Sequence, residues 1–334
     1  MTSRERVSAA IEHRQPDRVP YHIDFTQVAH ARMVEFTGDP RFASKLGTCF
    51  TMLRADPPDA WREVRPDVWQ DAFGVQWDRH VDKDIGVVCN RVVTRDNVAR
   101  CPFPDPHDAR RYAHFAKTLA AKGDRFFATP IDFSLFERAW TLAGMEELLA
   151  AMLSDARFVN TLLDRILEYN LAMIEHACAF DIDAMYFGDD WGHQGGLLMG
   201  PRLWRAFIKP RIREMYSAVR KRRKRVIIHS CGKVDELFPD LIECGVDVFN
   251  PFQPEVMDVF EMKARYGDAL CFYGGISTQR TLPYGTVAQV KDEVQRLLDE
   301  VGAGGGYIAA PAHAVPADAK PENVATMIDV LQNQ

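Results

Sequence analysis

Residues 226–232 read VIIHSCG. A wholly apolar run stops at a histidine, and a cysteine follows two positions later. Short apolar runs without alternation are how strands buried on both faces read, and strands of parallel sheets are buried in that way. The pattern recurs at YHIDF (21–25), RFFATP (125–130), AMYFGDD (184–190), VDVFNP (246–251), LCFYGG (270–275) and GGYIAAP (305–311).

Helical segments fill the intervals, over 107–122, 134–179, 201–222, 233–243, 255–265, 286–300 and 321–332. This strand–helix alternation is α/β, with seven strands ending near Asp24, Pro130, Asp189, Ser230, Asn250, Gly274 and Ala310. An eighth is expected within 67–93, where Trp69, Phe73, Val75 and Trp77 are spaced two or four apart. Eight such units close a (β/α)8 TIM barrel. The competing doubly wound sheet announces itself by a glycine fingerprint after its first strand, and none is present. No low-complexity linker interrupts the chain, so residues 1–334 are expected to form one domain with an elaborated N-terminal third. There Thr2, with Glu5 three positions on, predicts a capped first helix. Residues 27–65 predict two helical stretches broken by GDP and DPPDAW.

Composition removes several function classes. Hydrophobic residues make up 47% and charged residues 26% of 334, so the chain can bury a large core without staples. A net charge of −6 gives no electrostatic case for nucleic acid or an anionic membrane surface. No run of about 18 apolar residues predicts a membrane span, and the first residues lack the apolar core of a signal peptide. The seven cysteines are an odd, scattered set, which suits free thiols or metal ligands better than disulfides. The expectation is a soluble cytoplasmic protein.

In a barrel, the C-terminal strand ends face the active-site mouth. Those ends carry Asp24, Asp132, Asp189 with Asp190, His229 with Cys231, Asn250, Gln253 and His313. His229 and Cys231, two apart on extended chain, point to the same side and can share one cation of borderline softness. A catalytic zinc needs a third ligand, and His313 in PAHAVP is the candidate. The plainer alternative is a hydrogen-bonded histidine beside a buried thiol. In GDDWGHQ (188–194), one aspartate can enter the pocket as acid or base while its neighbour braces the fold, because adjacent strand residues face opposite ways. Asp189 and Asp190 are therefore the catalytic candidates. Asp24, Trp191, Asn250 and Gln253 are candidates for substrate contact.

Four stretches then resemble a known family: GDDWGHQGGLLMGPRLWRAFIKPR (188–211), VIIHSCGKVDELFPDLIECGVDVFNPFQPE (226–255), LCFYGGISTQRTLPYGT (270–286) and GGYIAAPAHAVPADAKPENV (305–324). In this order they resemble the uroporphyrinogen decarboxylase-like superfamily, closely over 180–330 and loosely before. True decarboxylases of that superfamily carry an arginine-rich RQAGRY-type segment that holds substrate carboxylates. Here the comparable stretch is HRQPDRVPYHIDFT (13–26), which lacks it. The other branch, zinc-dependent methyltransferases working with corrinoid proteins, has an HxC pair and a further cysteine in a PGC-like segment. This chain keeps His229 and Cys231 and has PAH, with His313 in place of that cysteine. The change weakens a thiol acceptor such as coenzyme M and looks more like the O-demethylase-type branch.

The resemblance implies a zinc-dependent transfer of methyl from a methoxylated or methylated small molecule to a corrinoid. That corrinoid is expected on a separate protein, because the chain has no DxHxxG signature. A homodimer is compatible with this reading. A metal-independent decarboxylase and a non-catalytic ligand-binding barrel are the alternatives.

Overall fold

The computed structural model describes residues 1–121 and 123–334. Seven parallel strands form one curled sheet, in chain order: β1 (Phe50–Met52), β2 (Phe126–Ile131), β3 (Ala184–Gly188), β4 (Arg225–His229), β5 (Val248–Phe252), β6 (Cys271–Ile276) and β7 (Tyr307–Pro311). Strands β2, β5, β6 and β7 are buried along their whole length, as their unbroken apolar character requires. The extended segment 20–25 joins the two sheet edges. His22 N–H donates to Ala309 O at 3.0 Å on one side, and Tyr21 O accepts from Cys49 N–H at 2.9 Å on the other. The fold is a TIM barrel in which this segment is the eighth stave, held by isolated bridges at Tyr21 and Phe25 rather than by a ladder.

Helix Ser3–Ile11 starts with the expected capping box, Thr2 with Glu5. It plugs the N-terminal end of the barrel. Val7, Ala10 and Ile11 pack with Phe50, Phe126, Ile227 and Ile308 of the interior. Each fully buried aliphatic chain contributes roughly 2 kcal/mol. With that end sealed, the cavity opens at the C-terminal strand ends.

The expected helices are present over 134–179, 201–222, 286–300 and 321–332, with the first split into Phe136–Ala143, Met145–Ser154 and Ala156–Ala177. The helix expected over 107–122 shrinks to a turn, Ala109–Tyr112, and a short helix, Phe115–Ala120; residue 122 itself lies outside the described residues. Among the described residues no helix is long and apolar enough to cross a membrane.

Two N-terminal expectations are corrected. The stretch 67–93 does form strands, but they build a separate antiparallel sheet of Trp61–Arg65, Val68–Asp71, Gln76–Asp78 and Val87–Val88. Its two-residue alternation reflects one buried and one wet face, as antiparallel sheets have. The missing sheet strand is Phe50–Met52, inside the stretch expected to be helical. Three residues are too few to show a period.

Candidate metal centre and its cavity

His229 is the last residue of β4 and shares inward parity with Ile227. Beyond it the chain turns at Gly232 (φ +87°), where a Cβ would lie 2.4 Å from the Gly192 carbonyl carbon. A Cβ on Gly192 would in turn lie 2.8 Å from Cys231 O. The glycine of HSCG thus lets two loops touch backbone to backbone. That contact fixes Cys231 beside the loop that carries Asp190.

The Cys231 Sγ lies 3.3 Å from His229 Nε2. The His313 ring, after β7, stands edge-on to the His229 ring at 5.7 Å between centroids. One donor atom from each of His229, Cys231 and His313 lies within 4.8 Å of the others. Zinc with bonds of about 2.0–2.3 Å holds ligand atoms roughly 3.3–3.8 Å apart, so side-chain shifts of about an ångström close the set. Among the described residues this is the one such group of three.

The surroundings fit a cation. His229 Nδ1 lies 2.6 Å from Asn250 Oδ1, which leaves Nε2 as the lone-pair nitrogen. Asn250 is held in that orientation by Tyr186 Oη, donating to the same oxygen at 2.8 Å, and by its own Nδ2 donating to Tyr273 O at 3.0 Å. Desolvation, then the nearby His229, lowers the His313 pKa and so favours the neutral ring that a metal ligand needs. Burial, then Asp190 and Glu137, pushes the Cys231 thiol up. A thiol among carboxylates stays protonated unless a cation shares the site, and a coordinating metal reverses that preference.

The two adjacent aspartates do different things. Asp189 is fully buried and accepts from the Leu135, Phe136 and Glu137 backbone N–H groups and from Trp191 Nε1, at 3.2, 3.1, 2.8 and 2.6 Å. Burial pushes it up to about 6, against those four donors. With its acceptor sites filled it braces the start of helix Phe136–Ala143. Asp190 turns the other way. Its Oδ1 accepts from Cys231 N–H at 2.7 Å and lies 3.7 Å from His229 Nε2.

The cavity beside these groups holds about 470 Å3 and is lined by Asp24, Asp190, His229 and His313 among the residues expected from sequence. Asp24 Oδ2 lies 3.0 Å from His22 Nε2. Trp191, Asn250 and Gln253, the other candidates for substrate contact, are not among the residues that line it. Trp191 is buried behind the wall against Trp204. Asn250 orients His229, and Gln253 Oε1 accepts from Gly232 N–H at 3.2 Å.

Sequence reading missed Glu137, Tyr186, Arg54, Arg111 and Arg138, all of which line the cavity. Burial, then Asp190 and Asp189, pushes the Glu137 carboxyl well above the ordinary range. Tyr186 was signalled by parity, two residues before Gly188 on a strand known to face inward. The arginines had no such signal, because they come from irregular segments and a helix.

Fold and site together define a barrel with a cluster of two histidines and a cysteine at its rim. The profile of the family described as Uroporphyrinogen decarboxylase (URO-D) matches residues 2–334, and the chain belongs to that family. A methylcobamide:CoM methyltransferase MtaA of Methanosarcina barkeri is 27% identical over 131 residues, 39% of this chain and 36% of that protein. The match thus spans little more than a third of that curated relative. A uroporphyrinogen decarboxylase of Edwardsiella ictaluri is 22% identical over 254 residues, 72% of this chain and 69% of that one. A solved methyltransferase structure from Methanosarcina mazei superposes with a TM-score of 0.71 at 18% identity, covering 99% of this chain and 98% of that one. That likeness supports the fold.

Proposed function

We propose that the chain is a zinc-dependent methyltransferase that moves a methyl group from a methoxylated or methylated small molecule to a corrinoid carried by a separate protein. The observation that carries this reading is the convergence of His229, Cys231 and His313 from two distant strand ends. The similarity to a methylcobamide:CoM methyltransferase is the comparison that supports it. A zinc ion held by those three residues supplies a Lewis acid at the heteroatom that bears the methyl group.

The remaining work falls to side chains of the cavity. Asn250 keeps the His229 ring in the tautomer that presents Nε2. Burial, then the charges of Asp190 and Asp189, favours the protonated form of the Glu137 carboxyl. That proton is positioned for the heteroatom left behind when the methyl group departs. Asp189 holds the helix start from which Glu137 projects. The chain is read as one domain throughout.

The test is metal analysis of the purified protein beside His229→Ala, Cys231→Ala and His313→Ala. About one zinc per chain in the parent and less than about a tenth in each variant is expected for a three-ligand site. Full occupancy in the variants would refute the centre. A metal-independent decarboxylase is the second reading, favoured by the longer match to the Edwardsiella decarboxylase. Carbon dioxide released from uroporphyrinogen by metal-depleted protein would establish it.

A further inference from the structure

Arg111 lies in the turn Ala109–Tyr112, lines the cavity and is only 5% exposed. Its Nε donates to Asp105 O at 3.0 Å and its Nη1 to Ala55 O at 3.2 Å. Both acceptors are neutral carbonyls. Among the described residues Arg111 has no ion pair, and its Nη2 has no hydrogen-bond acceptor. Of the other arginines lining the cavity, Arg138 pairs with Asp71 at 2.8 Å and Arg54 pairs with Asp132, while Arg79 makes no ion pair among the described residues and lies over the Trp61 ring at 4.5 Å.

A guanidinium held in a cavity wall without a counter-ion is strongly disfavoured, and the Tyr169 ring at 6.0 Å offsets only part of that penalty. Asp56 also lines the cavity and attracts Arg111 at a distance, but it makes no ion pair with it, and burial pushes its carboxyl up. Among the described residues Nη2 and one of the two Nη1 hydrogens have no acceptor, so the end-on edge of the guanidinium is left for an anion from outside.

We propose that Arg111 anchors a carboxylate on the methyl donor. The inference rests on the methyl-transfer reading for the word donor, but the anion site itself does not depend on it. The fork matches a planar carboxylate in a bidentate fashion. A dianion such as a phosphate monoester meets Asp56 and Asp132 on the same cavity wall and is repelled. Phe73, Phe133 and Tyr169 line the cavity too, so the body of the molecule is flat and apolar. The stretch resembling the arginine-rich decarboxylase segment contributes none of this, since Arg14 and Arg18 do not line the cavity.

Titration calorimetry with benzoate, benzamide and phenyl phosphate tests the site. Benzoate is expected to bind at least about tenfold more tightly than either of the others. Arg111→Gln should bring benzoate down to the benzamide level, and Arg111→Lys should recover part of the difference, because it keeps the charge and loses the fork. Equal binding of benzoate and benzamide by the parent protein overturns the proposal, and that comparison needs no variant to fold. Tighter binding of phenyl phosphate overturns the carboxylate assignment. His313→Ala should leave benzoate affinity within about twofold. A loss there, with none in Arg111→Gln, places the anion on the metal and overturns the proposal as well. The methyl-transfer reading fails separately, by absence of zinc from a protein that still selects benzoate.

Discussion

On the strand-end wall of the cavity, Tyr186 and His229 are linked to Asn250 and Tyr273 behind them by hydrogen bonds of 2.6–3.0 Å, and no full ion pair is among them. The wall contributed by residues 54–138 is built differently. Arg79 lies over the Trp61 ring at 4.5 Å, Arg138 lies over Phe73 at 4.2 Å while paired with Asp71, and Arg54 is paired with Asp132. Short side chains on rigid strands hold a position to within a fraction of an ångström, which a metal centre requires. Long guanidiniums on loops and on the added sheet offer charge and flat surfaces, which suit recognition of a small molecule. If the proposed function holds, the difference assigns catalysis and selection to separate parts of the chain.

The largest expected effects test that separation. Cys231→Ala and His313→Ala should each lower zinc affinity by more than about 100-fold, beyond what changes behind a ligand cost. Arg54→Gln should leave zinc content unchanged, as measured by elemental analysis. If Arg54→Gln also stripped the metal, the two walls would be one cooperative unit and the contrast would break. Next in size is Asp189→Ala. It strands four buried donors, three of them backbone N–H groups. With roughly 1–3 kcal/mol per unsatisfied group and some water entry, a loss of at least about 3 kcal/mol is expected in urea unfolding.

The same contrast explains what the sequence made legible. The convergence of His229, Cys231 and His313 was readable because they end or closely follow short apolar strands, and strand ends in a barrel share one rim. The division of labour between Asp189 and Asp190 was also readable in outline, since adjacent positions face opposite ways, although which of them enters the cavity was not. Asn250 and Gln253 were picked out by position, but a strand-end address does not say whether a side chain faces the cavity or supports a neighbour. Glu137 was invisible because it enters from a helix start, where a glutamate reads as ordinary first-turn chemistry. Arg111 was invisible for a stronger reason. Its turn carries no period, and its place beside Ala55 is a contact across 56 residues. The first sheet strand failed for want of length, whereas the stave at 21–25 was read as a short strand ending at Asp24.

A smaller effect is expected at Asn250. Asn250→Ala removes the acceptor that lies 2.6 Å from His229 Nδ1, so the ring loses both its tautomer and its orientation. Zinc affinity, measured by competition with a chromogenic chelator, should weaken about 10–100-fold, less than when a ligand itself is removed. An unchanged affinity would mean that the strand alone positions the ring.

The smallest expected change in stability is at Asp190→Asn, beside the residue where it is large. Asp190 accepts one backbone N–H, from Cys231, and is half-buried. Asparagine keeps a carbonyl oxygen at that atom, so the bond to Cys231 survives. The substitution also removes a carboxylate that pushes both Glu137 and the Cys231 thiol up. Relief of that repulsion offsets part of whatever hydrogen bonding is lost, and the unfolding midpoint should stay within about 1 kcal/mol of the parent. A loss as large as that of Asp189→Ala would show that Asp190 too is a brace. A fall in methyl transfer of about 100-fold with the midpoint unmoved would instead place its carboxyl in the chemistry.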